Sequence, residues 1–347
     1  MKTLVIGGGA VGSFLGTLLA LAGHEVTLVR PYGPGLGRGP ITLVGPDGSR
    51  REAVVDRILR TQDAEEPDLI LVGVKMTIIE EALAPAARWP LVPTLTVQNG
   101  IGAEEIVAEL RPQAPRLAAS MTASIELTPE DEVHRMSKGG IALAPVNEQA
   151  EPMVRRLLAD FARAGLRSRR ASDYRSMKWS KDVANQLANA TGAILDMDAS
   201  AIYRDPALFA LERRTLLETL AVMRASGLHP VAIPGAPIPW LARIVRLPAP
   251  LSRPVLARII GGARGGKQPS LRQHMLRAGD AATEPTEADW LYGAVARAGA
   301  QVGVAAPNNA RLAQLVDEVA RNPERRAWFR GRPDRLLAEL DTPTGSA

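Results

Sequence analysis

The chain of 347 residues contains no cysteine. This absence excludes disulfide bonds, catalysis by a cysteine thiolate and zinc sites with cysteine ligands. The four histidines are isolated from one another and lack the spacing of metal ligands, so we expect no metal dependence; they are His24, His134, His229 and His274. Aromatic residues make up 4% of the chain, so we expect a core built mainly from Ala, Leu, Val and Ile.

Long apolar runs and basic tracts are also missing. No stretch of about 18 consecutive apolar residues occurs, so we expect no membrane span. The first predicted strand begins almost at Met1, so we expect no signal peptide and interpret the protein as cytoplasmic. The net charge is only +5, from 42 basic and 37 acidic side chains. Because no Lys/Arg tract is interleaved with aromatics, we expect no nucleic-acid partner.

The strongest pattern lies in the first thirty residues. The apolar run Leu4–Ile6 is followed by a glycine-rich loop, a smooth apolar segment and a second apolar run from Val26. Glycines at positions 7, 9 and 12 match the G-x-G-x-x-G fingerprint between a strand and a helix. They permit a tight turn, close approach of a pyrophosphate and close packing of the helix, in that order. The loop predicts dinucleotide binding, with a plain tight turn as the alternative; its residues are Gly7, Gly8, Gly9, Ala10, Val11 and Gly12.

Strands and helices alternate in the first half of the chain. We predict a loop over 31–40, strands at 41–44, 51–55, 68–74, 94–97, 117–126, 132–136, 141–144 and 167–170, and helices over 77–87 and 148–164. This alternation predicts a doubly wound, mostly parallel sheet. We place this dinucleotide-binding domain at 1–172.

The second half, at 173–347, is predicted to be almost entirely helical. Helices are predicted over 173–195, 205–226, 270–278, 286–301, 308–321 and 333–340, with Asp173 and Asn308 as N-caps. The stretch 230–269 is rich in proline and arginine and has no clear period. We interpret it as a solvent-facing connection with short helices; a lid or an oligomer contact is the alternative.

The end of the second predicted strand bears on the choice of cofactor. Enzymes that prefer NAD usually carry an acidic residue there, which binds the ribose 2′-hydroxyl. Here the strand ends at Arg30, and Lys75 follows the predicted strand 68–74 at the same rim of the sheet. Because a guanidinium binds a 2′-phosphate through charge-assisted hydrogen bonds, these cations favour NADP. The alternative is that each is a solvated surface cation.

Asn99 follows the predicted strand 94–97, at the strand ends where ligands bind in such sheets. An ordinary Asn-Gly turn explains it equally well.

One face of the predicted helix 173–195 carries an unusual set of polar residues. At about 100° per residue, Lys178, Lys181, Asn185 and Asn189 share this face. Asparagine is a poor helix former, so two asparagines on one face beside a lysine need a reason other than helix stability. We therefore predict that this face binds a polar ligand and donates a proton. A solvated face is the alternative.

Together these residues resemble the ketopantoate reductase (2-dehydropantoate 2-reductase) family over nearly the whole chain. The motifs are Gly7-x-Gly9-x-x-Gly12, Arg30, Val74-Lys75, Asn99-Gly100-x-Gly102, Lys181-x-x-x-Asn185-x-x-x-Asn189, Glu287-x-Asp289-x-x-x-Gly293 and Pro307-x-Asn309. The resemblance implies an α/β N-terminal Rossmann-type doubly wound sheet and an all-α C-terminal domain like that of 6-phosphogluconate dehydrogenase. It also implies an NADP-binding domain at 1–172 and a substrate and dimerisation domain at 173–347, and hence a homodimer. The implied activity is NADPH-dependent reduction of ketopantoate to pantoate in pantothenate and coenzyme A biosynthesis.

The resemblance implies roles for single residues as well. Lys181 matches the general acid, and Glu287 matches the carboxylate that binds the substrate hydroxyl. Asn99, Asn185 and Asn189 match polar residues around substrate and cofactor.

Three features depart from the family pattern. A serine that contacts the substrate carboxylate usually lies about a dozen residues before the late glutamate, whereas Ser270 lies seventeen residues before Glu287. Glu284 competes with Glu287, although the spacing to Gly293 and Pro307 favours Glu287. The proline- and arginine-rich stretch 230–269 also differs from the usual helices of the family. A reductase of a different 2-keto acid is therefore the first alternative function, and a non-catalytic NADP-binding sensor is the second.

Overall fold

In the computed structural model, which describes residues 1–30, 35–263, 270–272, 275 and 286–341, the chain divides into two units. The first comprises Met1–Lys178 and Ala232–Pro237, and the second comprises Trp179–Val231 and Ile238–Ala347. Among the described helices, none has both the length and the apolar composition needed to cross a membrane.

The first unit is built on one sheet, whose described strands number eleven. They are β1 Lys2–Ile6, β2 Glu25–Val29, β3 Gly37–Val44, β4 Arg50–Ile58, β5 Leu69–Val72, β6 Thr94–Thr96, β7 Arg116–Met121, β8 Ile125–Leu127, β9 Glu132–Arg135, β10 Gly140–Pro145 and β11 Arg167–Arg170. The spatial order is β11-β10-β7-β6-β5-β1-β2-β4-β3-β9-β8. Strands β4, β2, β1, β5, β6 and β7 pair in parallel, so their carboxyl ends share one edge. The predicted doubly wound sheet is confirmed.

Helices cover the sheet of this unit. They are α1 Ala10–Leu21, α2 Ile79–Leu83, α3 Ala103–Leu110 and α4 Glu151–Arg163. Phe14 and Leu18 of α1 and Phe161 of α4 join strand residues such as Val5 and Leu28 in one buried cluster. Each fully buried side chain of this kind contributes about 1.5–3 kcal/mol, so the apolar face of α1 holds the glycine loop that precedes it against the sheet.

The predicted loop 31–40 is wrong at its end, because β3 already begins at Gly37. The half Gly37–Pro40 pairs only with β4, whereas β9 pairs with Thr42–Val44. Proline has no backbone N–H, and it is tolerated here because this half of the strand forms a ladder on one side only among the described residues. Residues 31–34 lie outside the described residues.

The predicted helix over 77–87 is broken. Only Ile79–Leu83 is α-helical, between 3-10 turns at Met76–Ile78 and Ala84–Arg88. Pro85 cannot donate a hydrogen bond, and the buried Arg111 binds the carbonyl oxygens of Ala86, Trp89 and Val92 instead. Arg111 follows α3, a helix that the sequence analysis did not predict.

The second unit is helical as predicted. After α5 Tyr174–Gln186, which crosses the division between the units, come α6 Asn189–Leu195, α7 Ala199–Arg204, α8 Pro206–Ala225, α9 Ile238–Arg246, α10 Ala249–Ala263, α11 Ala294–Gln301, α12 Pro307–Arg321, α13 Pro323–Phe329 and α14 Pro333–Asp341. A π-helical turn at Asp289–Gly293 precedes α11. The prediction did not include α7 and α13.

Three predictions in this unit need correction. The continuous helix over 173–195 is wrong, because the chain breaks after Gln186 and Ala188 adopts a left-handed conformation with φ 51°. The stretch 230–269 contains short helices, α9 and α10, as predicted, but it is not solvent-facing throughout, because Leu241, Val245 and Leu256 are buried. Asn308 is not an N-cap: it lies inside α12, and Glu218 accepts hydrogen bonds from the backbone N–H groups of Asn308 and Asn309. The predicted helix 270–278 falls mostly outside the described residues.

Candidate active site

The glycine loop is closely packed at Gly7 and Gly12 and open at Gly9. Gly7 has φ 105°, and a Cβ there would lie 2.6 Å from the backbone nitrogen of Val74. A Cβ on Gly12 would collide with the carbonyl oxygen of Gly7. Because glycine has no Cβ, α1 can approach the end of β1 this closely. A Cβ on Gly9 would meet no heavy atom within 4 Å. The loop is therefore packed on the sheet side and open at Gly9, where a dinucleotide would approach the backbone.

The strand ends around this loop lie close together. The backbone N–H of Gly73, after β5, donates to Ile6 at the end of β1 (2.7 Å), and that of Gly8 donates to Val29 at the end of β2 (2.9 Å). The Arg30 side chain packs over Gly8, where an added Cβ would be 2.8 Å away. Lys75 is exposed and Asn99 is half-buried at the ends of β5 and β6. The predicted nucleotide residues therefore share one edge of the sheet.

Arg30 has a partner that the sequence analysis did not foresee. Its guanidinium forms an ion pair with Asp131, and Arg57 of β4 binds the other oxygen of the same carboxylate at 2.8 Å. Only 10% of the Arg30 side chain is exposed, against 7% for Asp131 and 5% for Arg57. Arg30 is thus neither a solvated surface cation nor an unpaired one, and the cluster carries one net positive charge.

A second buried ion pair fixes the loop after β6. Lys178 Nζ lies 3.2 Å from a Glu104 carboxylate oxygen, and the two side chains are 4% and 2% exposed. The same ammonium donates to the carbonyl oxygen of Gln98 at 2.6 Å, and Thr96 donates to Glu104 at 2.6 Å. Lys178 therefore holds the residue directly before Asn99. The helical spacing predicts that Lys178 shares a ligand-binding polar face with Lys181 and Asn185, with a solvated face as the alternative; its ammonium is instead buried against Glu104.

The first turn of α5 is capped as predicted. The Asp173 carboxylate accepts from the backbone N–H groups of Arg175 and Ser176, at 3.2 and 2.8 Å. Next to it, burial together with the Glu105 and Glu104 carboxylates raises the pKa of the Tyr174 hydroxyl to about 12. Tyr174 is therefore neutral at working pH and donates to Glu105 at 3.4 Å.

Lys181 and Asn185 remain neighbours on α5. Both are half-buried, and a spacing of four residues places their side chains one above the other on the helix. Asn189 is separated from them by the break and begins α6. Its amide is 1% exposed; it donates to Ser270 Oγ at 3.2 Å and accepts from the Leu271 backbone N–H at 3.0 Å. The structure thus brings Asn189 and Ser270 together.

Glu287 is half-buried and lies two residues before Asp289, where the π-helical turn Asp289–Gly293 begins. Its carbonyl oxygen accepts from the backbone N–H of Leu291 at 3.2 Å. Turns of this type are frequent at functional sites. The competing Glu284 lies outside the described residues.

Comparison with known proteins identifies the relatives of this chain. Residues 3–148 match the family described as ketopantoate reductase PanE/ApbA, and residues 173–320 match its C-terminal domain. The chain belongs to the ketopantoate reductase family. It is therefore an oxidoreductase, and the sensor alternative is ruled out. Members of this family reduce a small keto acid with a nicotinamide cofactor.

Single relatives agree with this membership. The 2-dehydropantoate 2-reductase of Pyrococcus horikoshii is 28% identical over 240 residues, which cover 66% of this chain and 75% of that protein. The 2-dehydropantoate 2-reductase structure from Geobacter metallireducens GS-15 superposes with a TM-score of 0.74 at 24% identity, covering 92% of this chain and 99% of that one. The ternary structure of D-mandelate dehydrogenase with NADH and anilino(oxo)acetate gives 0.73 at 20% identity, covering 95% and 99%. Both structural likenesses support the fold of the reductase family.

Within this reductase fold, several buried polar residues escaped the sequence analysis. No local sequence pattern points to Asp131, because its partners Arg30 and Arg57 are distant in the sequence. Glu104 lies in the first turn of the unpredicted helix α3. Glu212 did leave a signal: it lies on the apolar stripe of α8, four residues from both Leu208 and Leu216, and all three are buried. Among the described residues, no group of three or more His, Asp or Glu side chains is arranged to hold a metal ion.

Proposed function

We propose that this reductase converts 2-dehydropantoate (ketopantoate) to pantoate with NADPH, in pantothenate and coenzyme A biosynthesis. The observation that carries the proposal is the polar arrangement in the second unit. There Lys181 and Asn185 lie one turn apart on α5, and Asn189 binds Ser270. This set offers one ammonium, a carboxamide and a hydroxyl, which are the groups that a ketone and a carboxylate require.

The first unit supplies the nucleotide-binding residues. The open backbone at Gly9 and the N-terminus of α1 fit a pyrophosphate. Arg30, with Lys75, is the residue that would bind a 2′-phosphate, because the Arg30–Arg57–Asp131 cluster keeps one unbalanced positive charge. Asn99 lies at the end of β6, where the nicotinamide ribose and the substrate are expected.

The chemistry assigned to the protein is proton delivery and charge stabilisation. When bound, the reduced nicotinamide supplies the hydride that goes to the carbonyl carbon. The carbonyl oxygen then carries negative charge, which the Lys181 ammonium stabilises and to which it gives its proton. Asn185 orients the lysine and the substrate. The Ser270 hydroxyl binds the substrate carboxylate, and Glu287 binds the distal hydroxyl of ketopantoate.

The test is a steady-state assay of NADPH oxidation with ketopantoate, followed by the same assay on Lys181→Ala. We expect the wild-type protein to be active and the variant to lose about 10²- to 10⁴-fold in kcat, while NADPH binding measured by fluorescence is retained. Arg175→Ala, an exposed cation in the first turn of the same helix, is the matched control and should keep its activity. A near-normal kcat in Lys181→Ala would show that another group is the acid.

A second candidate is reduction of a different 2-keto acid, with NADH. It is supported by the carboxylate of Asp131, which shares the Arg30 guanidinium, and by the likeness of fold to D-mandelate dehydrogenase in complex with NADH. A panel of 2-keto acids, each assayed with both cofactors, separates the two candidates. The homodimer stays a prediction, which light scattering would check.

A further inference from the structure

The break between α5 and α6 is built around an alanine in an unfavourable conformation. Ala188 has φ 51° and ψ 24°, a left-handed conformation that residues with a Cβ rarely adopt. No glycine occupies the position to relieve the strain. A conformation of this kind persists only where surrounding contacts impose it, and such sites are often functional.

A buried carboxylate imposes this conformation from one side. Glu212 of α8 is 4% exposed. It accepts hydrogen bonds from the backbone N–H of Ala188 at 2.7 Å and from the Thr191 hydroxyl at 2.6 Å. Tyr203 donates to the same carboxylate at 3.2 Å. Glu212 therefore binds the last residue before α6 and the first turn of α6 with one functional group.

A buried tyrosine bridges the same break. The Tyr292 hydroxyl donates to the carbonyl oxygen of Gln186 at 2.9 Å, and it accepts from the backbone N–H of Ala190 at 3.0 Å. These two backbone groups flank the break, so the hydroxyl replaces hydrogen bonds that a continuous helix would make. Tyr292 also belongs to the π-helical turn that follows Glu287. It thus anchors the segment carrying Glu287 to the helix that carries Lys181 and Asn185.

Helix α6 in turn holds the segment Ser270–Arg272 at both of its ends. At its start, Asn189 binds Ser270 and Leu271. At its end, Asp196 accepts from Arg272 Nε at 2.9 Å, and its carbonyl oxygen accepts from Nη2 at 3.1 Å. Ser270 Oγ accepts from Asn189, and among the described residues no group accepts its own O–H, which can therefore be donated to a ligand. The position of the Ser270 hydroxyl therefore depends on the direction of α6, which is set at the break.

We propose that Glu212 and Tyr292 are positioning residues for substrate binding. They hold the break at Ala188, which fixes α6, and α6 fixes the Ser270 hydroxyl as the donor to the carboxylate of a 2-keto acid. The inference rests on the proposed function of the second unit as the substrate-binding unit.

The test uses Tyr292→Phe, which removes one hydroxyl from the break and leaves the ring in place. On the best 2-keto acid of the wild-type enzyme, we expect kcat/KM to fall by between roughly tenfold and a hundredfold, mostly through a higher KM. NADPH affinity should stay unchanged. Glu212→Ala should lose at least as much, and Glu212→Gln, which retains one carbonyl acceptor, should recover part of the loss.

The matched control is Asp205→Ala, which removes the two hydrogen bonds that cap the start of α8 and none of those that Glu212 and Tyr292 make. It should lower the melting temperature, yet leave KM and kcat unchanged. The inference is overturned if Tyr292→Phe keeps a wild-type KM, if Asp205→Ala loses the same kcat/KM, or if NADPH affinity falls in parallel. If the wild-type protein reduces no 2-keto acid, the proposed function itself fails. A normal wild type with an unaffected Tyr292→Phe overturns only the positioning role.

Discussion

The guanidinium of Arg30, at the end of β2, forms an ion pair with the carboxylate of Asp131, a residue from the loop between β8 and β9. Asp131 has φ 61°, is nearly buried, and also binds Arg57. The arginine on which the NADPH prediction rests is therefore held in place before any cofactor binds. A bound 2′-phosphate would meet a preorganised cation, and it would compete with Asp131 for its hydrogen bonds.

The first prediction concerns this arginine. Arg30→Gln should weaken NADPH binding by about 10- to 100-fold, the equivalent of about 1.5–3 kcal/mol for a hydrogen bond to a charged group, and should leave NADH binding nearly unchanged. Glutamine is preferable to aspartate, which would face Asp131. Dissociation constants from fluorescence titration provide the measurement. The control is Arg57→Gln, which removes the other arginine that binds the Asp131 carboxylate, on β4. Equal losses for NADPH and NADH would contradict a 2′-phosphate contact.

The second prediction concerns the buried pair of Lys178 and Glu104. Removing one partner leaves an unpaired buried charge, so Lys178→Met and Glu104→Gln should each cost about 3–5 kcal/mol of unfolding free energy. The double variant should lose clearly less than the sum of the two, as contacting residues do. Urea unfolding measures all three. Asp334→Asn, which breaks the exposed pair with Arg332, is the control and should barely change stability, because solvent screens exposed ion pairs. Additive losses would mean that the two charges do not act as a pair.

The third prediction distinguishes ketopantoate from other substrates. If Glu287 binds the distal hydroxyl, Glu287→Ala should lower kcat/KM for ketopantoate by about 10- to 100-fold. The loss should be much smaller for the 2-keto acid of the same carbon skeleton that lacks this hydroxyl. Asp289→Asn, in the same segment and paired with Arg297 at the surface, is the control. Equal losses on both substrates would remove the hydroxyl contact from the mechanism.

The fourth prediction concerns alkaline pH. Burial, with Glu105 and Glu104 nearby, raises the pKa of Tyr174 from 10.0 to about 12 in the folded protein. The unfolded chain therefore releases this proton at a lower pH than the folded one, and the stabilisation is fully present below pH 10 and lost between pH 10 and 12. Tyr174→Phe should lose less stability than the wild type over that interval. Parallel curves of unfolding free energy against pH would show that Tyr174 does not contribute.

The sequence alone determined what depends on local pattern. The strand–glycine–helix order of the first thirty residues, the parallel strands and the helical second half all follow from periodicity and turn chemistry, which act over a few residues. Lys181 and Asn185 were recognised for the same reason, because four residues of one helix suffice to place them on one face. The resemblance to ketopantoate reductases rested on such short motifs and on their order.

Only the tertiary structure decided which charges are paired and where a helix breaks. Asp131 forms an ion pair with Arg30 across a separation of 101 residues in the sequence. Glu104 pairs with Lys178 from α3, a helix that was not predicted from the sequence pattern. The break at Ala188 has no glycine or proline to signal it; it exists because Glu212 and Tyr292, 24 and 102 residues away from the groups they bind, satisfy the backbone there. Hydrogen bonds and ion pairs between distant segments overrode the local preference for a continuous helix, and such contacts leave no period in a single sequence.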